Sequence, residues 1–337
     1  MQLSTDKIRE ITTGAVLVTE ENGFVSFKRF TSEQEAWYKQ TNEAFYLRGS
    51  ANAGIKLLFR TDSKNLFLNI NVVTPFTRKY FSVDVFINGK PIGYIDNFSD
   101  IDLPQGYAGI ELDAGEYEKS FELGEGEKTV CIHLPWTAMV QIKQMCIDDK
   151  AFAEAIKPEK KLLVYGDSIT QGFDALRPSN RYIAKIADKL GAEEYNKAIG
   201  GEGFCPKLAA MKDSFVPDYI TVAYGTNDWY VKDEETFKTE CRAFFENVSN
   251  NYPGVKTFVI TPIWRKNFVE QTKFGAFENI EKHIKNATND MENVTVISGF
   301  DLVPKEEKYF GDLSLHPNDS GFEHYAENLY EKIKEKI

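Results

Sequence analysis

The sequence predicts an α/β architecture in which a parallel sheet, covered by helices on both faces, follows an all-β segment of sandwich type. Three observations carry this prediction. Up to about residue 150 the chain is made of short runs rich in β-branched and aromatic residues, separated by Gly, Asn, Asp and Ser. Beyond residue 160, short apolar runs alternate with longer stretches that are apolar at helical spacing. Between them, Ala151 to Lys160 is polar and interrupted by Pro158. The chain of 337 residues is long enough for two cores, so 1–155 is expected to form a β-sandwich and 156–337 an α/β domain.

In the first half, strands are expected over Gly54 to Thr61, Asn65 to Val73, Phe81 to Ile87 and Thr129 to Leu134. Asn88-Gly89, set between apolar runs, suits a tight hairpin turn that needs positive φ. In the second half, strands are expected over Lys161 to Tyr165, Tyr219 to Tyr224, Lys256 to Ile260 and Val294 to Ile297. Helices are expected over Asn180 to Leu190, Glu234 to Val248 and Phe268 to Asn289, with a closing helix whose Ser320 and Glu323 match a capping box.

Composition narrows the function. Hydrophobic residues make up 42% and charged residues 27%, the balance of an ordinary globular chain. The net charge of -11, with no long Lys/Arg block, argues against nucleic acid or an anionic membrane as partner. Cys131, Cys146, Cys205 and Cys241 are scattered and form no Cys-x-x-Cys pair, which signals neither a zinc site nor a disulfide framework. The first residues lack the basic start and apolar run of a secretory signal, and no stretch is long enough to span a bilayer. The expectation is a cytoplasmic enzyme for a small-molecule or oligosaccharide substrate, and nothing in the sequence fixes an oligomeric state.

Ligands of open α/β sheets bind beyond the carboxyl ends of the strands, which directs attention to the residues there. After the first strand of the second half comes Gly166-Asp167-Ser168. A serine at the start of a helix can attack an acyl carbon while its own N–H faces the developing oxyanion, though alone it reads equally as an N-cap. Asn196 to Gly203 carries glycines that can bring a backbone N–H close to a substrate, or simply form a strand-to-helix loop. Gly225-Thr226-Asn227-Asp228 sets a carboxamide donor beyond another strand, or an Asx-turn. His316 lies between Asp312 and Pro317 in a segment that proline keeps extended, so its imidazole can reach across to a serine. His133, His283 and His324 fall in expected strand or helix and read as structural.

The order and placement of these blocks over residues 161 to 335 resemble the SGNH or GDSL hydrolases. The resemblance implies a flavodoxin-like three-layer α/β/α domain and a carboxylic ester hydrolase that needs no metal or other cofactor. Residue by residue, it implies Ser168 as nucleophile, His316 as base, and the N–H groups of Ser168 and Gly201 with the Asn227 side chain as the oxyanion hole. One departure stands out. The family's aspartate usually precedes the histidine by three residues, where this chain has Leu313, and the nearest acid is Asp312. Either Asp312 reaches the imidazole through a local backbone adjustment, or a Ser-His dyad is oriented by a backbone carbonyl.

A β-sandwich, jelly-roll-like, ahead of such a domain is similar to the arrangement of carbohydrate esterase family two. That likeness implies removal of O-acetyl groups from carbohydrates, such as plant-derived oligosaccharides, through an acetyl-serine intermediate. On that reading Trp229 and Trp264 are sugar-stacking platforms, or else lid or core aromatics. Asp174 and Arg177 bond sugar hydroxyls, or else form an ion pair. The rival readings are an esterase or thioesterase of lipid-like acyl chains, and a sugar-binding protein without catalysis.

Overall fold

The β-branched runs of the first half pair as antiparallel strands in a computed structural model, which describes residues 1–73, 78–107 and 112–337. The strands are β1 (Thr12–Thr13), β2 (Leu17–Glu21), β3 (Phe24–Lys28), β4 (Lys56–Thr61), β5 (Asn65–Val73), β6 (Ser82–Ile87), β7 (Lys90–Asp96), β8 (Gly115–Glu122), β9 (Lys128–His133), β10 (Met139–Ile147) and β11 (Glu154–Ala155). One sheet runs β1-β4-β9-β6-β7, with β11 also on β4, and the other runs β2-β3-β10-β5-β8. Alternate side chains of β5 are buried, and Leu66, Leu68 and Ile70 meet Leu57, Phe59, Val85 and Ile132 of the facing sheet in one core. That is sandwich packing. Asn88 and Gly89 both take positive φ in the β6–β7 hairpin, as a two-residue turn with matching twist requires.

Helices also occur in this half, which the all-β expectation left out: α1 (Thr5–Ile11), α2 (Ser32–Thr41) and α3 (Glu43–Gly49). The start of α2 is a capping box in which the Thr31 hydroxyl accepts from Gln34 N–H and the Gln34 side chain accepts from Thr31 N–H. Its sequence is mostly polar, and only Gln34 and Tyr38 are buried, so no apolar periodicity announces it.

The second half follows as β12 (Lys160–Gly166), α4 (Ser168–Gln171), α5 (Tyr182–Leu190), β13 (Ala192–Asn196), α6 (Pro206–Ala210), β14 (Tyr219–Ala223), α7 (Thr226–Val231), α8 (Glu234–Asn251), β15 (Lys256–Ile260), α9 (Asn279–Thr288), β16 (Val294–Ile297) and α10 (Asp319–Ile333). The parallel sheet runs β13-β12-β14-β15-β16, the flavodoxin-like order. Successive residues of β12 serve opposite faces. Leu162 and Val164 pack with Ile183, Ile186, Leu329 and Ile333 of α5 and α10, while Leu163 and Tyr165 pack with Phe237, Phe244, Ile280 and Ile284 of α8 and α9. The resulting layers are α/β/α.

The helix expected over 268–289 is confined to α9. The segment before it is a loop whose Phe274 and Phe277 enter the same core, so apolar spacing mimics a helix there. The closing helix begins at the N-cap Asn318, whose side chain accepts from Gly321 N–H, rather than at a Ser320 capping box. Among the described residues no helix is long and apolar enough to cross a membrane.

The two halves are tied by buried polar contacts. Arg29, buried beside β3, donates to the carbonyls of Asn196 (2.9 Å) and Ala198 (3.0 Å), and Lys197 donates back to the Arg29 carbonyl (2.7 Å). Trp136 Nε1 donates to the Ala175 carbonyl at 2.9 Å.

Candidate active site

Three parallel strands end side by side at the site. Beyond β12, Asp167 N-caps α4, its carboxylate accepting from Ile169 N–H, and this places Ser168 at the first helical position with 4% of its surface exposed. Burial pushes the Asp167 carboxyl up to about 7. Beyond β13 the chain continues alongside β12, with Ile199 N–H donating to the Gly166 carbonyl at 3.0 Å, and Gly201 follows two residues later. Beyond β14, Asn227 lies in the first turn of α7, and its Nδ2 donates to the Glu202 carbonyl at 2.9 Å. An amide nitrogen has two hydrogens, so this bond orients the carboxamide and leaves its second donor for a ligand.

The histidine arrives from the loop ahead of α10. His316 Nε2 lies 2.8 Å from Ser168 Oγ, and His316 Nδ1 lies 2.7 Å from Asp312 Oδ2. The extra residue between acid and base is absorbed at Leu313, which takes φ +58°. A left-handed leucine costs about 1–2 kcal/mol. Asp312 Oδ1 offsets it by accepting the N–H groups of Ser314, Leu315 and His316 at 2.8–3.1 Å. Although burial pushes the Asp312 carboxyl up, the His316 ring and these N–H donors outweigh it and hold the group well below the usual carboxylate range.

The β-sandwich half forms the wall behind the histidine. Trp136 packs at a tilt against Phe173 (5.1 Å between centroids), and Phe173 likewise against His316 (5.4 Å). Gly106 N–H donates to the Gly311 carbonyl, and Gly311 N–H to the His316 carbonyl at 2.8 Å, which closes the loop. Nothing in the sequence marked Trp136 or Phe173 for this place.

The structure puts the remaining expected substrate contacts elsewhere. Trp229 is 0% exposed and donates to the Gly275 carbonyl, so it is a core aromatic and offers no face to a sugar. Trp264, 8% exposed, packs on Phe310 and Phe268. Arg177 pairs with Asp96 and stacks over Tyr94, serving the joint between the halves. Asp174 is 0% exposed and pairs with Arg78 Nε at 2.7 Å. One oxygen of Asp174, one of Asp312 and one ring nitrogen of His316 lie within 4.8 Å of one another.

Residues 164–324 match the GDSL-like lipase/acylhydrolase family. This segment is a GDSL-like lipase/acylhydrolase domain. Its chemistry is carboxylic ester hydrolysis. No curated protein sequence matches the chain. Among solved structures, the GDSL domain with its N-terminal partner is similar to a salicylyl-acyltransferase from a tetracycline biosynthetic pathway, at 19% identity and TM-score 0.79, covering 96% of this chain and 94% of the other. It is also similar to a putative GDSL-like lipase from Bacteroides ovatus (18%, TM-score 0.76, covering 99% and 97%). A third likeness is to a family two carbohydrate esterase from Clostridium thermocellum (17%, TM-score 0.65, covering 85% and 93%), solved with cellohexaose. At these identities the likeness is one of fold, here extending over both halves.

Proposed function

We propose that the protein is a serine esterase that removes O-acetyl groups from carbohydrates. The observation that carries the serine chemistry is the unbroken chain Ser168 Oγ, His316, Asp312, with links of 2.8 and 2.7 Å. Ser168 Oγ attacks the acetyl carbon while His316 Nε2 takes its proton. The carbonyl oxygen, now negative, is bound by the N–H groups of Ser168 and Gly201 and by the second Nδ2 hydrogen of Asn227. The tetrahedral species expels the sugar alkoxide, which leaves as the alcohol with the proton from His316. Water, deprotonated by the same nitrogen, then releases acetate and restores Ser168.

The carbohydrate part rests on the fold shared with carbohydrate esterases across sandwich and GDSL domain. Trp229 and Trp264, being buried, lend it no support. The test is mass spectrometry of acetylated oligosaccharides incubated with the protein and with Ser168→Ala. Loss of acetyl masses with the intact serine alone is expected, and unchanged masses overturn the substrate. Faster turnover of octanoyl than of acetyl p-nitrophenyl ester would favour a lipid-like acyl chain instead. The near full-length likeness to an acyltransferase favours a second reading, transfer of the acyl group to an alcohol other than water. A new ester formed when acceptor alcohols are added to the reaction would establish it.

A further inference from the structure

Asp174 is an anomaly in a buried position. Its side chain is 0% exposed, its Oδ1 is held by Arg78, and its Oδ2 is buried with no hydrogen-bond partner. A buried carboxylate oxygen without a donor is costly, and such a group persists where the surrounding structure gains from it. The chain also bends to keep it there. Asp174 takes φ +72°, and Gly311 passes so close that a Cβ at that position would lie 2.7 Å from Asp174 Cβ and 2.9 Å from its Oδ2. Asp312 is the next residue. The glycine therefore lets the loop carrying Asp312 and His316 lie against the second carboxylate.

We infer that Asp174, balanced by Arg78 of the β-sandwich half, is a positioning residue that sets the base strength of His316. The inference rests on the serine-hydrolase reading above. Before reaction the Asp174 carboxylate is paired with Arg78. When Nε2 takes the Ser168 proton, the imidazolium has Asp312 on its Nδ1 and Asp174 within 4.8 Å, and both favour the charged ring. Arg78 weakens this effect without abolishing it. The charged groups that act on His316 are Asp312 on its own loop and Asp174 and Asp167 on the segment that follows β12, while Arg78 and Tyr107 of the sandwich half and Arg265 after β15 act on these carboxylates. Burial holds the Asp174 carboxyl above the usual carboxylate range, and His316 and Arg78 pull it part of the way back.

The test uses the full chain with isotope-labelled histidine, its four histidines being few enough for His316 to be assigned by substitution. Asp174→Asn keeps the shape and the tolerance for positive φ and removes the charge. It is expected to lower the His316 titration midpoint and to move the acid limb of kcat/KM to lower pH, with a reduced plateau. Arg78→Gln leaves the carboxylate uncompensated and is expected to raise the midpoint. Opposite shifts support the inference. An unmoved midpoint in both variants, or shifts in one direction, overturns it, and if one variant does not fold the direction seen in the other decides. The titration needs no turnover, so wild type failing to hydrolyse any ester would overturn the esterase reading, while the midpoints would still test the charge coupling.

Discussion

The serine and histidine sides of the site are built in different ways. Ser168 is placed by residues adjacent to it in sequence: β12 ends, Asp167 caps α4, and the proposed nucleophile follows at once. His316 is held within its own loop by Asp312 and Gly311 and, in addition, by distant residues, through the packing of Phe173 and Trp136, the Gly106 bond to Gly311, and the Arg78–Asp174 pair that spans 96 positions. One side is fixed by local geometry, the other by its own loop together with the docking of two halves. Substitutions remote in sequence should therefore reach the base far more readily than the nucleophile.

The largest effect is expected at the centre. Ser168→Ala should lower kcat by at least about 10³-fold, with the folded structure intact by circular dichroism. Residual turnover within tenfold of wild type would assign the nucleophile elsewhere. Next, Asp312→Asn should cost about 10²–10⁴-fold in kcat, because the imidazole loses both its orienting partner and its counter-charge. If kcat falls less than about threefold, a Ser-His dyad oriented by another group is operating.

Gly311→Ala sharpens the comparison, since the added methyl meets Asp174 and not the serine. The expected loss is about tenfold in kcat, with reaction of Ser168 towards a small phosphonylating reagent reduced to the same extent. A fall in KM-dependent binding alone would place the glycine in substrate recognition. The smallest effect concerns Glu202, whose carboxyl accepts from Tyr38 and Tyr224 and which burial raises from 4.5 to about 8. A folded pKa above the unfolded one means that the contribution to stability is complete below pH 4.5 and is lost as pH rises through 8. Glu202→Gln should match the wild-type melting temperature near pH 5 and exceed it at pH 9. A constant difference across that range would contradict the assignment.

Much of this arrangement could be read from the residues, for identifiable reasons. β5, β15 and β16 coincide with expected runs because β-branched side chains cluster there and nothing competes. The Asn88-Gly89 turn declares itself because few other pairs tolerate its backbone. α2 stays hidden because a polar helix held by a capping box and two buried side chains has no apolar stripe. The link from Asp312 to His316 stayed open in the sequence because a leucine gives no sign of adopting positive φ. Trp229 and Trp264 read equally as platforms or core aromatics because position after a strand says nothing of burial, which is decided largely by Phe277 and Phe310, more than 40 positions away from them in the chain. Asp174 read equally as a sugar contact or half of an ion pair for the same reason, and its partner proves to be Arg78.

The guanidinium of Arg29 has a consequence for anyone wishing to rebuild this enzyme. It plugs the carbonyls that follow β13, at the root of the loop that carries Gly201. Cutting away the first 155 residues would uncap those carbonyls, strip Trp136 from Phe173 and take Arg78 from Asp174. The sandwich is in this sense a part of the hydrolase and not cargo beside it, so a chimera that swaps it for a foreign module should lose turnover even where the GDSL domain remains soluble.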